Sequence, residues 1–569
     1  MRRISDLSHC TPEVALSDDA KRGCWRRIPY ETDDFAGVMI GAAPTTAAPE
    51  VTLPLDAEGW HALHVGFWNP HHDYQGNFRV KLKLTGDPCF QPIADPEPPL
   101  IWPGTCELKE VLFRQADLTG KALIIAQQIK GTRPEKAYIA YVRLVPLSPE
   151  EVSALVADRA DRSTRMLYAL NDGNGMFYEG ASTESELIEQ VEPYRHSDVG
   201  AVLFAVASGD LVNYPSRFGL PWMADAGDDT STPDRCVLRD CTKGLLDQGI
   251  VPVQILSEHC QAMDIAFHAM FRMGIVGEIP PGDLWNPRHG FVRKHPEWRM
   301  CDRDGTPFEK ASYAYPEVRD FMIGMIEEVS STYDVNGVNL GFIRGPHFVG
   351  YETPVVEAFQ RAHGIDPREL DENDERAQRH RAAYVTELVR ETRRRLDAVG
   401  AARGHRIELS AMVYRGNTPI NLFYGLDVET WFREKLLDTI FMSLPVEEKI
   451  LAAARDAGCR VVTHLMPSSR DARADEEETL AMALQGFDTG VDGFWYWDMN
   501  ARQIKPEYWE VLRRIGHQDE VHRMASARPR MPRTRLRTVG GFDVWHTTNH
   551  GADDRDYWPP EMQPIFSGG

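Results

Sequence analysis

The chain has 569 residues, 42% hydrophobic and 26% charged, with 63 basic against 85 acidic residues and a formal net charge of −22. That balance is ordinary for a globular chain and provides for about three domains without disulfide support. The acidic excess argues against nucleic acid and against an anionic membrane surface, because both need a basic face.

Residues 1–150 read as β. Val51 to Leu55 is a short strand, and Trp60 to Phe67 and Phe78 to Leu84 alternate as half-buried strands do. Lys109 to Arg114, Ala122 to Gln127 and Ala137 to Leu144 continue the pattern. An N-terminal β-sandwich of jelly-roll type is expected. The period changes at PLSPEE, Pro146 to Glu151, where a helix should begin.

Residues 151–524 alternate buried strand and amphipathic helix. The predicted strands are Met166 to Leu170, Ala201 to Ala205, Ile265 to Met270, Gly337 to Ile343, Ile407 to Val413, Thr439 to Met442, Val461 to His464 and Gly493 to Trp497. Helices such as Glu317 to Ser330 and Arg379 to Ala398 separate them. Eight strand–helix units, with no GxGxxG or GxxxxGK[ST] turn, predict a closed (β/α)8 TIM barrel rather than an open doubly wound sheet. Residues 525–569 start basic and Pro-rich and then turn aromatic and acidic. They predict an extended C-terminal extension that packs on the body or on a second copy, as in a homo-oligomer.

Nine cysteines occur, with no CxxC pair and no Cys/His set at zinc-finger spacing. Reduced thiols, no metal and no cofactor are expected. The N-terminal MRRISDLSHCTPEV lacks the apolar run of a leader, and no stretch of about 18 apolar residues occurs. These features predict a cytoplasmic protein acting on small imported oligosaccharides, with no membrane partner.

In a barrel, side chains just past each strand's C-terminal end converge on one mouth. The candidates there are Asp172 and Asn174 after strand one, Arg272 after strand three, and His289 in the long loop that follows. Strand four leads to Arg344, His347, Tyr351 and Glu352, strand five to Tyr414 and Arg415, strand seven to His464, and strand eight to Trp495, Trp497 and Asp498. Aromatic rings stack on sugar faces, while Arg, Asn and carboxylates hold hydroxyls. Two carboxyl groups flanking a glycosidic bond supply acid catalysis and a nucleophile or base. Glu352 and Asp498 are the nominated catalytic pair, with Asp172 in reserve. Glu352 also has a structural reading, since it opens the helix TPVVEAF, where an acid favours the dipole.

HPEW at His295 to Trp298, SYAYPEVRDFMIGMIEEV from Ser312, YDVNGVNLGFIRGP from Tyr333 and AFHAMFRMG from Ala266 occur in order. On these segments the chain, over about residues 165–500, resembles putative family 10-like glycosyl hydrolases with a (β/α)8 barrel. The resemblance implies a carbohydrate-active barrel without naming a substrate. It departs at strand four, where the group commonly carries acids and this chain has Asn339 and Gly341 while keeping Arg344. Gly274 and Ile275 likewise follow Arg272-Met273 where the group commonly continues RMND.

The reading is therefore a glycoside hydrolase acting on an oligosaccharide, of the kind used in polysaccharide degradation. Three arginines, Arg272, Arg344 and Arg415, exceed what a neutral sugar needs and point to an anionic substituent. The alternatives are a lyase- or isomerase-type sugar enzyme, with or without a metal ion, and a non-catalytic glycan-binding relic.

Overall fold

The computed structural model describes residues 1–70, 77–95, 107–132, 135–222, 233–277, 290–465, 472–526 and 531–544. Its central feature is a closed parallel barrel. The eight strands are Leu167–Asn171, Val199–Ser208, Ala266–Arg272, Gly337–Gly341, Glu408–Gly416, Thr439–Val446, Arg460–His464 and Gly493–Tyr496. Each pairs in parallel with the next, and the first pairs with both the second and the eighth, which closes the ring. All eight predicted strands are present.

The barrel interior is filled by side chains two residues apart on each strand, as the period of a pleated strand requires. Tyr168, Leu170, Ala201, Leu203, Ala205, Met270, Met412, Phe441, Val462, Trp495 and Trp497 form this inner cluster. The fourth strand contributes almost no bulk. A side chain at Gly337 would meet the ring of His268 at 2.6 Å, and one at Gly341 would meet the Met270 methyl at 2.6 Å. Asn339 between them is fully buried and donates to Ser410 Oγ at 2.9 Å. Of the two positions where the resembled group commonly carries acids, 341 is thus filled by the side chain of Met270 and 339 holds a buried hydrogen bond. A hollow of about 610 Å³ opens at the opposite, N-terminal end of the barrel, lined in part by Arg165, Arg406 and Arg460. These three pair with Asp264, Asp438 and Glu408 respectively, so an ion-pair network forms the floor.

Helices cover the outside of the barrel. Pro316–Thr332 and Glu375–Arg403 pack their apolar faces against the main core, which includes Val318, Met322, Ile326, Val385, Leu388 and Leu396. A two-stranded hairpin, Arg299–Cys301 with Pro307–Ala311, interrupts the link between the third strand and the first of these helices. It lies against the loop that follows the fourth strand.

The N-terminal β region comprises a nine-stranded and a four-stranded sheet. Val65, Val142 and Ile40 of the larger sheet share one core with Leu53, Leu82 and Ile125 of the smaller. Strands Trp25–Thr32, Ala36–Ala42 and Gln91–Asp95 were not anticipated from the sequence; Arg26, Arg27 and Pro29 break the pattern of the first and glycine dilutes that of the second. The helix expected after the PLSPEE segment starts at Pro149, and Ser148 and Glu151 form a reciprocal capping box.

Residues 531–544 return to the N-terminal β region. Strand Arg533–Val539 pairs antiparallel with both Trp25–Thr32 and Glu107–Asp117. Further bonds join the β region to the barrel, including Lys81 with Glu189 at 2.7 Å and Arg79 with Glu179 at 2.9 Å. Trp509, just after the last barrel unit, is buried in the core of the β region. Among the described residues no helix is long and apolar enough to cross a membrane.

Candidate active site

The C-terminal ends of the strands form a mouth, and its densest polar grouping lies between the first and the last strands. Asp172 follows the first strand and Asp498 follows the eighth. Their carboxyl groups are hydrogen-bonded to one another. Burial first, and then the charge and hydrogen bond of Asp172, push Asp498 up to about 6, against the pull of Arg502 and Arg344. Arg272, at the end of the third strand, forms an ion pair with Asp172. Asp498 itself has left-handed backbone, at φ 49° and ψ 45°. A non-glycine residue held there is strained, and such residues concentrate at functional sites.

Trp497 lies beneath this group, only 6% exposed. The guanidinium of Arg344 is 4.7 Å from its ring centre and that of Arg272 is 5.7 Å away. Trp495 points the same way two residues earlier, and His464 stacks on it at 4.1 Å. Burial, reinforced by Arg502, pushes the His464 imidazole down to about 4, so it is neutral at neutral pH.

Several buried polar atoms around this grouping have no protein hydrogen-bond partner: Arg272 Nε, Arg502 Nε, His464 Nε2, Trp495 Nε1 and Asn500 Oδ1. An unsatisfied buried polar atom costs about 1–3 kcal/mol, and a concentration of them calls for an explanation such as a ligand. All five come from the ends of the third, seventh and eighth strands or the short helix that follows. Asn500 also lies against Gly175, where an added side chain would come within 2.4 Å of its Nδ2. Asn174 is close by in sequence and caps the helix Gly175–Tyr178 with no side-chain bond of its own.

The fourth and fifth strands build a second wall. His347 contacts the rings of Phe423 at 5.2 Å and Tyr424 at 5.4 Å, and Tyr414 packs on Tyr424 at 4.3 Å. Burial lowers the His347 pKa, with Arg381 and Lys310 adding to the effect. Tyr414 also donates to the Phe342 carbonyl at 3.2 Å. Tyr351 accepts from Arg303 at 3.2 Å and lies under Arg381. Arg344 and Arg415 are exposed and pair with no carboxylate among the described residues. His289 lies outside the described residues.

Glu352 lies in the interior. It is 0% exposed. Its carboxylate accepts from the Gly350 amide at 3.0 and 3.1 Å and from the Cys301 amide at 3.4 Å, with Ser312 also bonded. Burial raises its pKa while these bonds oppose the rise. Of the nominated Glu352–Asp498 pair, Glu352 precedes the helix Thr353–His363 and bonds the Arg299–Cys301 strand to the loop. Asp172 and Asp498 are the carboxyl groups that bond to one another past the strand ends.

Sequence reasoning passed over Arg502, Phe423, Tyr424 and Lys310. Arg502 donates to the Trp497 carbonyl at 2.7 Å. Its signal was available, since residues four apart share a helix face and Arg502 follows Asp498 at that spacing. Among the described residues no group of three or more His, Cys, Asp or Glu side chains is placed to hold a metal ion.

Residues 183–457 match the family model described as glycosyl hydrolase-like 10. The HPEW and YDVNGVNLGFIRGP segments fall inside that range, as do Arg272, Arg344 and Glu352; Asp172, His464 and Asp498 fall outside it. No curated protein matches the chain. Among solved structures, the glycoside hydrolase domain of PgaB (BpsB) from Bordetella bronchiseptica aligns at 12% identity, over 62% of this chain and 98% of that one, with a TM-score of 0.38. The β-galactosidase from the psychrophilic Marinomonas ef1 aligns at 13% identity, over 64% and 60%, with a TM-score of 0.38. Alpha-L-fucosidase isoenzyme 2 from Paenibacillus thiaminolyticus aligns at 14%, over 61% and 49%, with a TM-score of 0.36.

Proposed function

We propose that this glycosyl hydrolase-like barrel is a glycoside hydrolase whose acid is Asp498 and whose anionic partner is Asp172. The observation that carries the reading is their hydrogen-bonded pair at the joint of the first and last strands, beneath a ring of unsatisfied polar atoms. One proton shared between two carboxyl groups leaves a single acid beside a single anion below about pH 6. Arg272 pairs with Asp172, so the proton rests on Asp498. Asp498 gives that proton to the glycosidic oxygen as its bond to the anomeric carbon breaks, and the anionic pair stabilises the oxocarbenium-like transition state. A water forms the new bond to that carbon and returns a proton to the pair.

The floor and walls suit a sugar. Trp497 and Trp495 form a buried aromatic floor, and Asn500, Arg502 and His464 hold buried hydrogen-bonding atoms without protein partners beside it. Tyr414, Phe423, Tyr424 and His347 extend the aromatic surface to a neighbouring sugar unit. Arg344 and Arg415, both exposed and without carboxylate partners among the described residues, favour an oligosaccharide bearing carboxylate or sulfate.

The test is a panel of neutral, uronic and sulfated oligosaccharides, assayed by reducing-end release with the wild type, Asp498→Asn and Asp172→Asn. Release by the wild type that falls sharply in both variants supports the reading. Equal release by Asp498→Asn removes its acid. Tight binding with no release over days favours the glycan-binding relic, the reading that the acid-free fourth strand supports.

A further inference from the structure

Lys310 stands on the strand Pro307–Ala311 of the hairpin inserted after the third barrel strand. It is 8% exposed. Its Nζ donates to the backbone carbonyls of Gly345 and His347 and lies 5.0 Å from the Phe348 ring centre. No carboxylate pairs with it among the described residues, and burial alone moves its pKa, down to about 8. An ammonium taken out of water without an anion carries a penalty of several kcal/mol, so the carbonyls it holds repay attention.

Both carbonyls belong to the turn after the fourth strand. Gly345 takes φ +81°, a conformation that favours glycine. Arg344, immediately before it, lies over Trp497 and is one of two cations that favour the ionised form of Asp498. The opposite bond runs from the same turn back to the hairpin, through the Glu352 carboxylate and the Cys301 amide. The hairpin and the turn therefore exchange charged side chains, Lys310 in one direction and Glu352 in the other.

We propose that Lys310 is a positioning residue for the mouth: by fixing the Gly345 and His347 carbonyls it keeps Arg344 over Trp497, beside the Asp172–Asp498 pair. The proposal depends on the preceding functional reading only in treating that pair as catalytic. The placement of Arg344 is tested without any substrate.

The groups acting on Asp498 are Asp172, Arg502 and Arg344, with Arg272 behind Asp172. If Arg344 drifts, Asp498 loses one favourable charge and titrates at higher pH. Trp497 is its neighbour in the chain, so intrinsic tryptophan fluorescence followed from pH 4.5 to 8 reports the transition, and Trp497→Phe identifies that component. The full-length protein is compared with Arg344→Met, Lys310→Met, Lys310→Arg and the Arg344→Met/Lys310→Met double variant.

Arg344→Met is expected to raise the midpoint by about half a pH unit, Lys310→Met to raise it likewise, and Lys310→Arg to stay near the wild type. The double variant is expected to move no further than Arg344→Met alone, because the two act through one charge. Should Lys310→Met not fold, Lys310→Gln takes its place, with a smaller rise in the same direction. An unchanged midpoint in the folded Lys310 variant overturns the proposal, whether or not Arg344→Met moves it. A Lys310 variant that loses thermal stability while keeping the wild-type midpoint assigns Lys310 to folding alone. A failure to find any hydrolysed glycoside leaves these outcomes untouched.

Discussion

Asp498 shares a hydrogen bond with Asp172, and Arg272 holds Asp172 from its other side. The pair joins the two ends of the barrel, one residue following the first strand and the other following the eighth.

This arrangement fixes the direction of a pH profile. If Asp498 must be protonated to act, activity falls as pH rises through about 6. Asp172→Asn removes the neighbouring charge, so the midpoint of that limb moves to lower pH, while Asp498→Asn lowers turnover by about 10²–10⁴-fold. Initial rates of oligosaccharide hydrolysis between pH 4 and 8 decide it. A high-pH limb that stays in place in Asp172→Asn would show that the pair is not coupled.

Glu352→Gln separates the two carboxyl sites of this half of the barrel. The Gly350 amide donates to both oxygens of the buried carboxylate and the Cys301 amide to Oε1, and an amide side chain replaces the second acceptor with an NH2 group that cannot accept. Stability is expected to drop by about 1–3 kcal/mol, the cost of a lost buried acceptor. The pH midpoint of Asp498 should stay where it is. Urea denaturation and the fluorescence titration measure the two quantities separately; a full-strength fold with no turnover would return Glu352 to the catalytic role.

The barrel was legible because its strands are short apolar runs, such as LYAL before Asn171 and VLFAVA before Ser208, each followed by turn residues and an amphipathic helix. The ends of those strands were legible for the same reason, which is how Asp172, Arg272, His464 and Asp498 came to be named. The partnership of Asp172 with Asp498 was not, because it exists only once the first and eighth strands pair. Burial of Glu352 depends in the same way on the Cys301 amide, brought in by a hairpin from the preceding loop. Its place at the start of a helix was visible in the sequence, but its cover was not. The tail shows a third limit: RTRLRTV buries only Leu536 fully, yet it forms a strand because two edges of the N-terminal sheet accept it.

Gly337 and Gly341 give a paired test of why the fourth strand carries no side chain at these positions. A methyl group at 337 would meet Nδ1, Cε1 and Cγ of His268 at 2.6–3.0 Å, and that ring is itself buried on the barrel floor. Gly337→Ala should cost about 1–3 kcal/mol by overpacking. At 341 the nearest atom is the end of the flexible Met270 side chain, so Gly341→Ala should cost less. Equal losses in chemical denaturation would mean that strand backbone, not these neighbours, sets the preference for glycine.

His464 supplies the acid limit of stability for the mouth. Burial, and then Arg502, place its folded pKa at about 4, below the ordinary value of 6.5. Between those two values the unfolded chain takes up a proton that the folded chain refuses. Its contribution is therefore whole above about 6.5 and is lost as pH falls towards 4. One full proton corresponds to about 1.4 kcal/mol per pH unit. His268 is driven to about 4 by burial as well, so the two add in the wild type. His464→Gln keeps a polar side chain that does not titrate, so its stability should decline less steeply than that of the wild type over pH 6.5 to 4. The difference between the two curves isolates His464 from the carboxyl groups that titrate in the same range. Parallel curves for the two proteins would show that His464 is not buried in the neutral form against Trp495.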